Sequence, residues 1–227
     1  MAGRISSRRR APKASEQHRA WLSLVDTEGP FLSVPALTRL WPQGMPTLTE
    51  HQRATITDTK PPLDAAWDAW RIDPDGDLGR YREVRDRWVR TVLGEVVGWD
   101  QVDSASTPAS ATVSSPDQSV TVSPTTTLGD AEALVWVVDP VVSLRDHLDD
   151  GWATSPIDRM EIMLRASRVP IGIVSDGRWW ALVSAAEGGL AASGIVDALT
   201  WIEETAVRDA FLHLVDPLRL IGGAEAD

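Results

Sequence analysis

The stretch EALVWVVDP, Glu132 to Pro140, constrains the fold of this chain most. From Ala133 to Val138 it is apolar without alternation. A strand with one wet face would show a polar residue at every second position, so this run reads as a strand covered on both faces. Such a strand lies inside a sheet, and the sheet must carry a layer on each side.

The residues that follow supply part of that cover. SPIDRMEIMLRASR offers Ser155 as N-cap, Pro156 at the first helical position and Asp158 at the third, which predicts a helix over 156–168. Ile157, Met160, Met163/Leu164 and Ser167 form its inner face. Then VPIGIVSDGRWWALV, residues 169–183, sets two apolar runs around Asp176-Gly177. This predicts a hairpin of strands 170–175 and 179–184, with a type I′ turn and positive φ at both central residues. Trp179 and Trp180 should face opposite sides of their strand, and Arg178 should stand exposed at the turn.

Upstream, LGRYREVRDRWVRTVLGEVVGW (78–99) repeats apolar positions at helical spacing: Leu78, Tyr81, Val84/Arg85, Trp88, Val92 and Val96/Trp99. Arg80, Arg82, Arg87 and Arg90 lie off that stripe among Glu83 and Asp86. A solvated face is the plain reading of this row, and a phosphate-facing one is the functional alternative. A last helix is expected from about Glu203 to Val215, burying Val207, Phe211, Leu212 and Leu214/Val215.

The remainder divides by composition. Residues 1–19 read as a basic disordered arm with Arg8-Arg9-Arg10. Residues 20–76 read as a helical and irregular wrapping segment: two short helices around a turn at Glu28-Gly29-Pro30, then a proline-rich irregular stretch over 42–76. Residues 103–127 hold 13 Ser and Thr and read as a linker, with a strand possible at 119–122. Residues 77–220 form the core and 221–227 a tail. The expected class is mixed α/β or α+β: a central mixed sheet flanked by helices, in the order α-β-β-β-α-β.

Net charge is −11, unevenly placed: residues 1–99 hold 15 Lys+Arg against 13 Asp+Glu, residues 100–227 hold 7 against 20. Any DNA contact should therefore come from the first half. Cysteine is absent, which excludes disulfides, thiol catalysis and thiolate zinc sites. No apolar run approaches the ~20 residues that cross a bilayer, and no secretory signal is evident, so a cytoplasmic, non-membrane protein is expected. Tryptophan, at 11 residues against one tyrosine and two phenylalanines, reads as the ordinary core aromatic. His18, His51, His147 and His213 lack ligand spacing, and the phosphate-loop, dinucleotide and zinc-protease motifs are missing.

The element order resembles the core of the PD-(D/E)xK nucleases. That resemblance implies an acid on one strand and an acid-x-lysine on the next, converging on Mg²⁺ to make a nucleophilic water. Asp117, after Pro116, takes the first position and Asp139 the second, so these two are the candidate catalytic and metal-binding residues. Glu95 is a further acid that such folds sometimes aim at the metal. After Asp139 stand Pro140 and Val141, and no lysine follows Lys60. Arg145 is a poor substitute for a lysine that must shed a proton. Mg²⁺ is thus expected only if nuclease activity is retained, and otherwise no cofactor.

The string LRASRVPIGIVSDGRWWALV is similar to the N-terminal nuclease-like module of large bacterial DNA methylases, including type IIG restriction-modification enzymes and the methylases of BREX and DISARM phage defence. The resemblance spans about residues 15–220. In that family a methylase with an Asn/Asp/Ser-Pro-Pro-Tyr/Phe motif follows. The nearest match here, Lys60-Pro61-Pro62-Leu63, lacks the amide and the aromatic. The resemblance implies a front module, a separately encoded subunit or a truncated reading frame, without methylase activity of its own. It would position DNA or a partner methylase, with Arg82, Arg87, Arg90 and Arg178 as candidate DNA contacts. The alternatives are an active metal-dependent endonuclease with a rearranged site and a non-enzymatic scaffold whose acidic half meets a basic partner.

Overall fold

A computed structural model describes residues 13–186 and 188–221. The chain is α+β. Six strands form one mixed sheet: β1 (Asp26–Glu28), β4 (Thr126–Leu128), β5 (Ala133–Val137), β6 (Ile171–Ser175), β7 (Trp179–Ser184) and β8 (Ala192–Asp197). Their spatial order is β1-β8-β7-β6-β5-β4. Every neighbouring pair is antiparallel except β5 and β6. A parallel pair needs a crossover, which helix α5 (Pro156–Ser167) supplies. Two short strands, β2 (Val113–Ser114) and β3 (Thr121–Val122), make a separate ribbon.

Alternation along the strands creates two cores. Val135, Ile173, Trp180, Leu182 and Val196 join one; Leu134, Trp136, Val174, Ala181 and Val183 join the other. The first core is closed by α1 (Ala14–Leu22), α2 (Val34–Leu40), α3 (Glu50–Ile72), α4 (Pro74–Arg90) and α6 (Thr205–Leu214), and α7 (Pro217–Leu220) follows. The second is closed by α5 through Met160, Met163 and Leu164. Gly172 lets α5 come this close, since a Cβ there would meet Met160 at 2.4 Å.

The tryptophan pair is divided as the pleat requires. Trp180 is fully buried beside Trp201 and Phe211, with ring centroids 5.7 and 6.1 Å away. Trp179 packs on the rim of the second core. The turn differs from expectation. Asp176 N–H meets the carbonyl of Trp179 at 3.3 Å, so Gly177-Arg178 is the central pair. Of these only Gly177 has positive φ, at 99°, the pattern of a type II′ turn. The Gly177 carbonyl accepts the indole N–H of both Trp88 and Trp180, at 3.1 and 3.0 Å. Core tryptophans therefore pin the hairpin tip.

Several boundaries need correction. The stretch expected to be irregular over 42–76 contains α3, a 23-residue helix that runs through Pro61 and Pro62. Proline removes an N–H and crowds the carbonyl four residues back. Here both prolines, with Thr57 and Asp58 that lose their donors, lie on the exposed side, where a freed carbonyl costs less than it would in the core. A Thr49–Gln52 capping box starts the helix, and Ile56, Leu63 and Trp67 bury its other side. The arm expected over 1–19 is helical from Ala14; Arg8-Arg9-Arg10 lies outside the described residues, as does all but Ile221 of the tail. The Ser/Thr-rich stretch is folded as the ribbon and β4. The strand around 119–122 pairs with β2, and β5 takes β4 as its antiparallel partner. The long helix ends as α4 at Arg90 and continues as a π-helical turn, Thr91–Val96. Among the described residues no helix is long and apolar enough to cross a membrane.

Candidate functional site

Between β5 and α5 the chain runs from Val138 to Ser155 without regular secondary structure. Loops of this length in a folded domain are commonly functional, and this one leaves the carboxyl end of a parallel strand, where open sheets hold their ligands. It walls a cleft of about 720 Å³ whose lining includes Arg85, Asp139, Val141, His147, Asp150 and Arg159.

Asp139 is held from α4. Arg82 grips both its carboxylate oxygens through Nε and Nη2. Arg85 donates through Nη1 to Asp139 at 3.2 Å and to the Val138 carbonyl at 2.8 Å, and through Nε to Asp86 at 2.8 Å. The Arg82 guanidinium holds the Asp139 carboxyl below the usual carboxylate range, with Arg85 adding to it; in return Asp139 raises Arg82. At the far end of the loop Arg159 has no exposed side-chain surface. It donates to both oxygens of Asp150 at 2.6 Å and to the Trp152 carbonyl at 2.8 Å, and lies 4.8 Å over the Trp152 ring. Its hydrogen bonds keep the Asp150 carboxyl below the usual carboxylate range, with its charge adding to them. Arg145 ties the middle of the loop to edge strand β1, reaching Asp26 at 2.7 Å and Glu28 at 2.8 Å.

Asp176 sits behind this wall without exposed surface. Its carboxylate accepts N–H from Trp179 at 2.6 Å and from Val141 at 3.1 Å, and its carbonyl accepts the Tyr81 hydroxyl at 2.9 Å. Burial pushes its pKa up to about 6, and burial also pushes Tyr81 up.

The paired carboxylates expected on adjoining strands do not stand on adjoining strands of one sheet. Asp117 lies in the turn of the β2–β3 ribbon, where Ser115 and Ser119 hydroxyls hold one carboxylate oxygen at 2.5 and 2.8 Å. The Ser115 hydroxyl leads in lowering its pKa to about 2. Asp139 lies beyond β5, whose sheet neighbours are β4 and β6. The antiparallel neighbour β4 reads Thr-Thr-Leu and carries no acid. Among the described residues no three His, Asp or Glu side chains converge in a way that would hold a metal ion. The residues present do not fit the Mg²⁺ site that the nuclease resemblance implies. Glu95 is exposed on the π-helical turn, 3.5 Å from the Thr91 hydroxyl.

The four arginines expected at DNA separate into two kinds. Arg82 is bound to Asp139. Arg178, expected to be exposed, is clamped: Nε and Nη2 reach Asp197 at 3.1 and 2.7 Å, and the guanidinium lies 4.2 Å over Trp179 and 4.8 Å over Trp67. Arg87 and Arg90 are exposed near the end of α4 and have no ion pair among the described residues. Arg85, Arg159 and Asp176 were not singled out from sequence as site residues. A signal existed for Arg85, since an arginine on a buried helical stripe demands a buried acceptor.

Fold and cleft define an α+β protein whose strand-end acid is neutralised from a neighbouring helix. No family model matches the chain, and no curated protein or solved structure is similar to it.

Proposed function

We propose that this chain is a non-catalytic, nuclease-like module of a DNA-modifying restriction or phage-defence system, which positions DNA or a partner methylase. The observation that carries this reading is the pairing of Asp139 with Arg82 and Arg85. In a working metal nuclease that carboxylate must offer its oxygens to a cation. Here two guanidiniums occupy them, and Asp117 is spent on a turn. A scaffold that keeps the layout of a nuclease core but quenches its acid serves by binding. The resemblance over Leu164–Val183 supports the same reading, because those residues are the end of α5 and the β6–β7 hairpin at the middle of the sheet.

Of the four candidate arginines, Arg87 and Arg90 are the two without an ion pair among the described residues, and these can meet phosphate. Titration of duplex DNA against the full chain at several salt concentrations tests this. Binding that weakens with salt, and whose salt slope falls by about one per arginine in Arg87→Gln and Arg90→Gln, is the expected result. Absence of binding at low salt transfers the role to a protein partner, and co-purification with a methylase without DNA then distinguishes the scaffold alternative.

A further inference from the structure

A second opening lies between the end of α4, with its π-helical turn, and strands β4 and β5. It measures about 430 Å³, within the range of small-molecule sites. Its floor consists of buried members of the first core: Val89, Leu93, Trp99, Leu128 and Val135. That floor is set in advance. The Trp99 indole N–H donates to the Val215 carbonyl at 2.8 Å, and the Thr125 hydroxyl accepts the Val137 N–H at 2.8 Å.

Gly94 keeps the groove open. It lies in the π-helical turn, a feature that recurs at functional sites. Its φ is not in the left-handed region, and an added Cβ would meet, outside its own helix, only the Asp100 Cβ at 3.6 Å. Neither backbone nor packing therefore demands glycine here, although glycine weakens a helix relative to alanine. A longer side chain would take up space in the opening that Gly94 lines.

The rim carries charge of both signs. Arg90 and Asp100 line it, are exposed, and have no ion pair among the described residues. Asp86, also on the rim, is taken by Arg85. Asp100 stands about one helical turn from Arg90, because its Cβ is placed against Gly94, four residues further on. A ligand with a single charge is drawn by one of these residues and repelled by the other. An apolar body that bears a cation and an anion side by side satisfies both.

We propose that this groove binds a free α-amino acid with an apolar side chain. Its carboxylate meets Arg90, its ammonium meets Asp100, and its side chain covers the floor. The inference goes beyond the DNA reading and stands without it, since its test contains no nucleic acid.

Calorimetric titration of the full chain with L-leucine and L-phenylalanine, joined to mapping of amide resonances, tests it. One or both should bind at millimolar concentration and shift the amides of Leu93, Gly94 and Leu128. The N-acetyl and methyl-ester derivatives each lack one charge and should bind about tenfold more weakly. Arg90→Gln and Asp100→Asn should each weaken the parent amino acid by a similar factor. Gly94→Leu should lose binding without a lower unfolding midpoint; should that variant fail to fold, the derivatives on the unaltered chain decide the matter. No binding of either amino acid, resonance shifts confined to other parts of the chain, or derivatives that bind as well as their parents would overturn the proposal.

Discussion

The Nη1 of Arg85 bridges the last two residues of the β5 extension, donating to the Val138 carbonyl at 2.8 Å and the Asp139 carboxylate at 3.2 Å. One buried guanidinium thereby fixes the start of the cleft loop and neutralises the acid beside it. Arg82 reaches the same carboxylate from outside, with its side chain 48% exposed.

That difference in burial predicts different costs. Arg85→Ala removes a buried stem and leaves the Val138 carbonyl unmet, which should destabilise the chain by about 2–3 kcal/mol. Arg82→Ala breaks an exposed ion pair and should stay within the scatter of ordinary surface substitutions. Denaturant midpoints of the two variants measure the gap; equal losses would show that the bridge to Val138 contributes nothing.

Acid stability should carry two opposed contributions. Asp139 is held low by Arg82, so the unfolded chain binds its proton more readily than the folded one. Its contribution is present above about pH 4 and lost as pH falls through the carboxylate range. Asp176 is raised to about 6 by burial, so its contribution is present at low pH and lost as pH rises through that value. Unfolding free energies from pH 3 to 8 should show Asp139→Asn lacking part of the acid loss and Asp176→Asn lacking part of the decline between pH 4 and 6.

Arg178 should behave as a structural residue. Arg178→Ala gives up the bonds to Asp197 and two ring contacts and should cost about 1–3 kcal/mol. Arg178→Lys should not restore it, because an ammonium cannot stack flat between indoles while reaching a carboxylate. DNA affinity of the folded fraction should be unchanged in Arg178→Lys and reduced in the Arg87 and Arg90 variants. The opposite ranking would place the DNA contact at the hairpin tip.

Gly172 sets the distance between α5 and the sheet. Gly172→Ala drives a methyl into Met160 and should cost about 1–3 kcal/mol by overpacking. Gly79, with no atom within 4 Å of an added Cβ, is the control; Gly79→Ala lies in α4 and should be neutral or stabilising.

What could be read from sequence is the part whose signals are local. The unbroken run of β5, the Ser155–Asp158 capping box and the Asp-Gly between two apolar runs each name an element by themselves, and β5, α5 and the β6–β7 hairpin all form. What could not be read depends on distant partners. β1 exists because Asp26–Glu28 lie along β8 and Arg145 bridges to them from the loop. β8, rich in Ala, Ser and Gly, gains strand character from its neighbours, with Gly194 making room for Leu32. α3 survives two prolines because its opposite side packs against α4. At the site, Asp139 was legible as a strand-end acid, but its arginines arrive 54 and 57 residues away in sequence. The separation of Asp117 from Asp139 follows from a ribbon whose short strands resemble any linker.

The claim that the strand-end acid is silenced meets its most direct test in a cleavage assay. Supercoiled plasmid incubated with the full chain and Mg²⁺ or Mn²⁺ should stay uncut, with wild type and Asp139→Ala indistinguishable from buffer. Metal-dependent nicking by the wild type that Asp139→Ala abolishes would contradict the account, for it would mean that Arg82 and Arg85 yield the carboxylate to a cation.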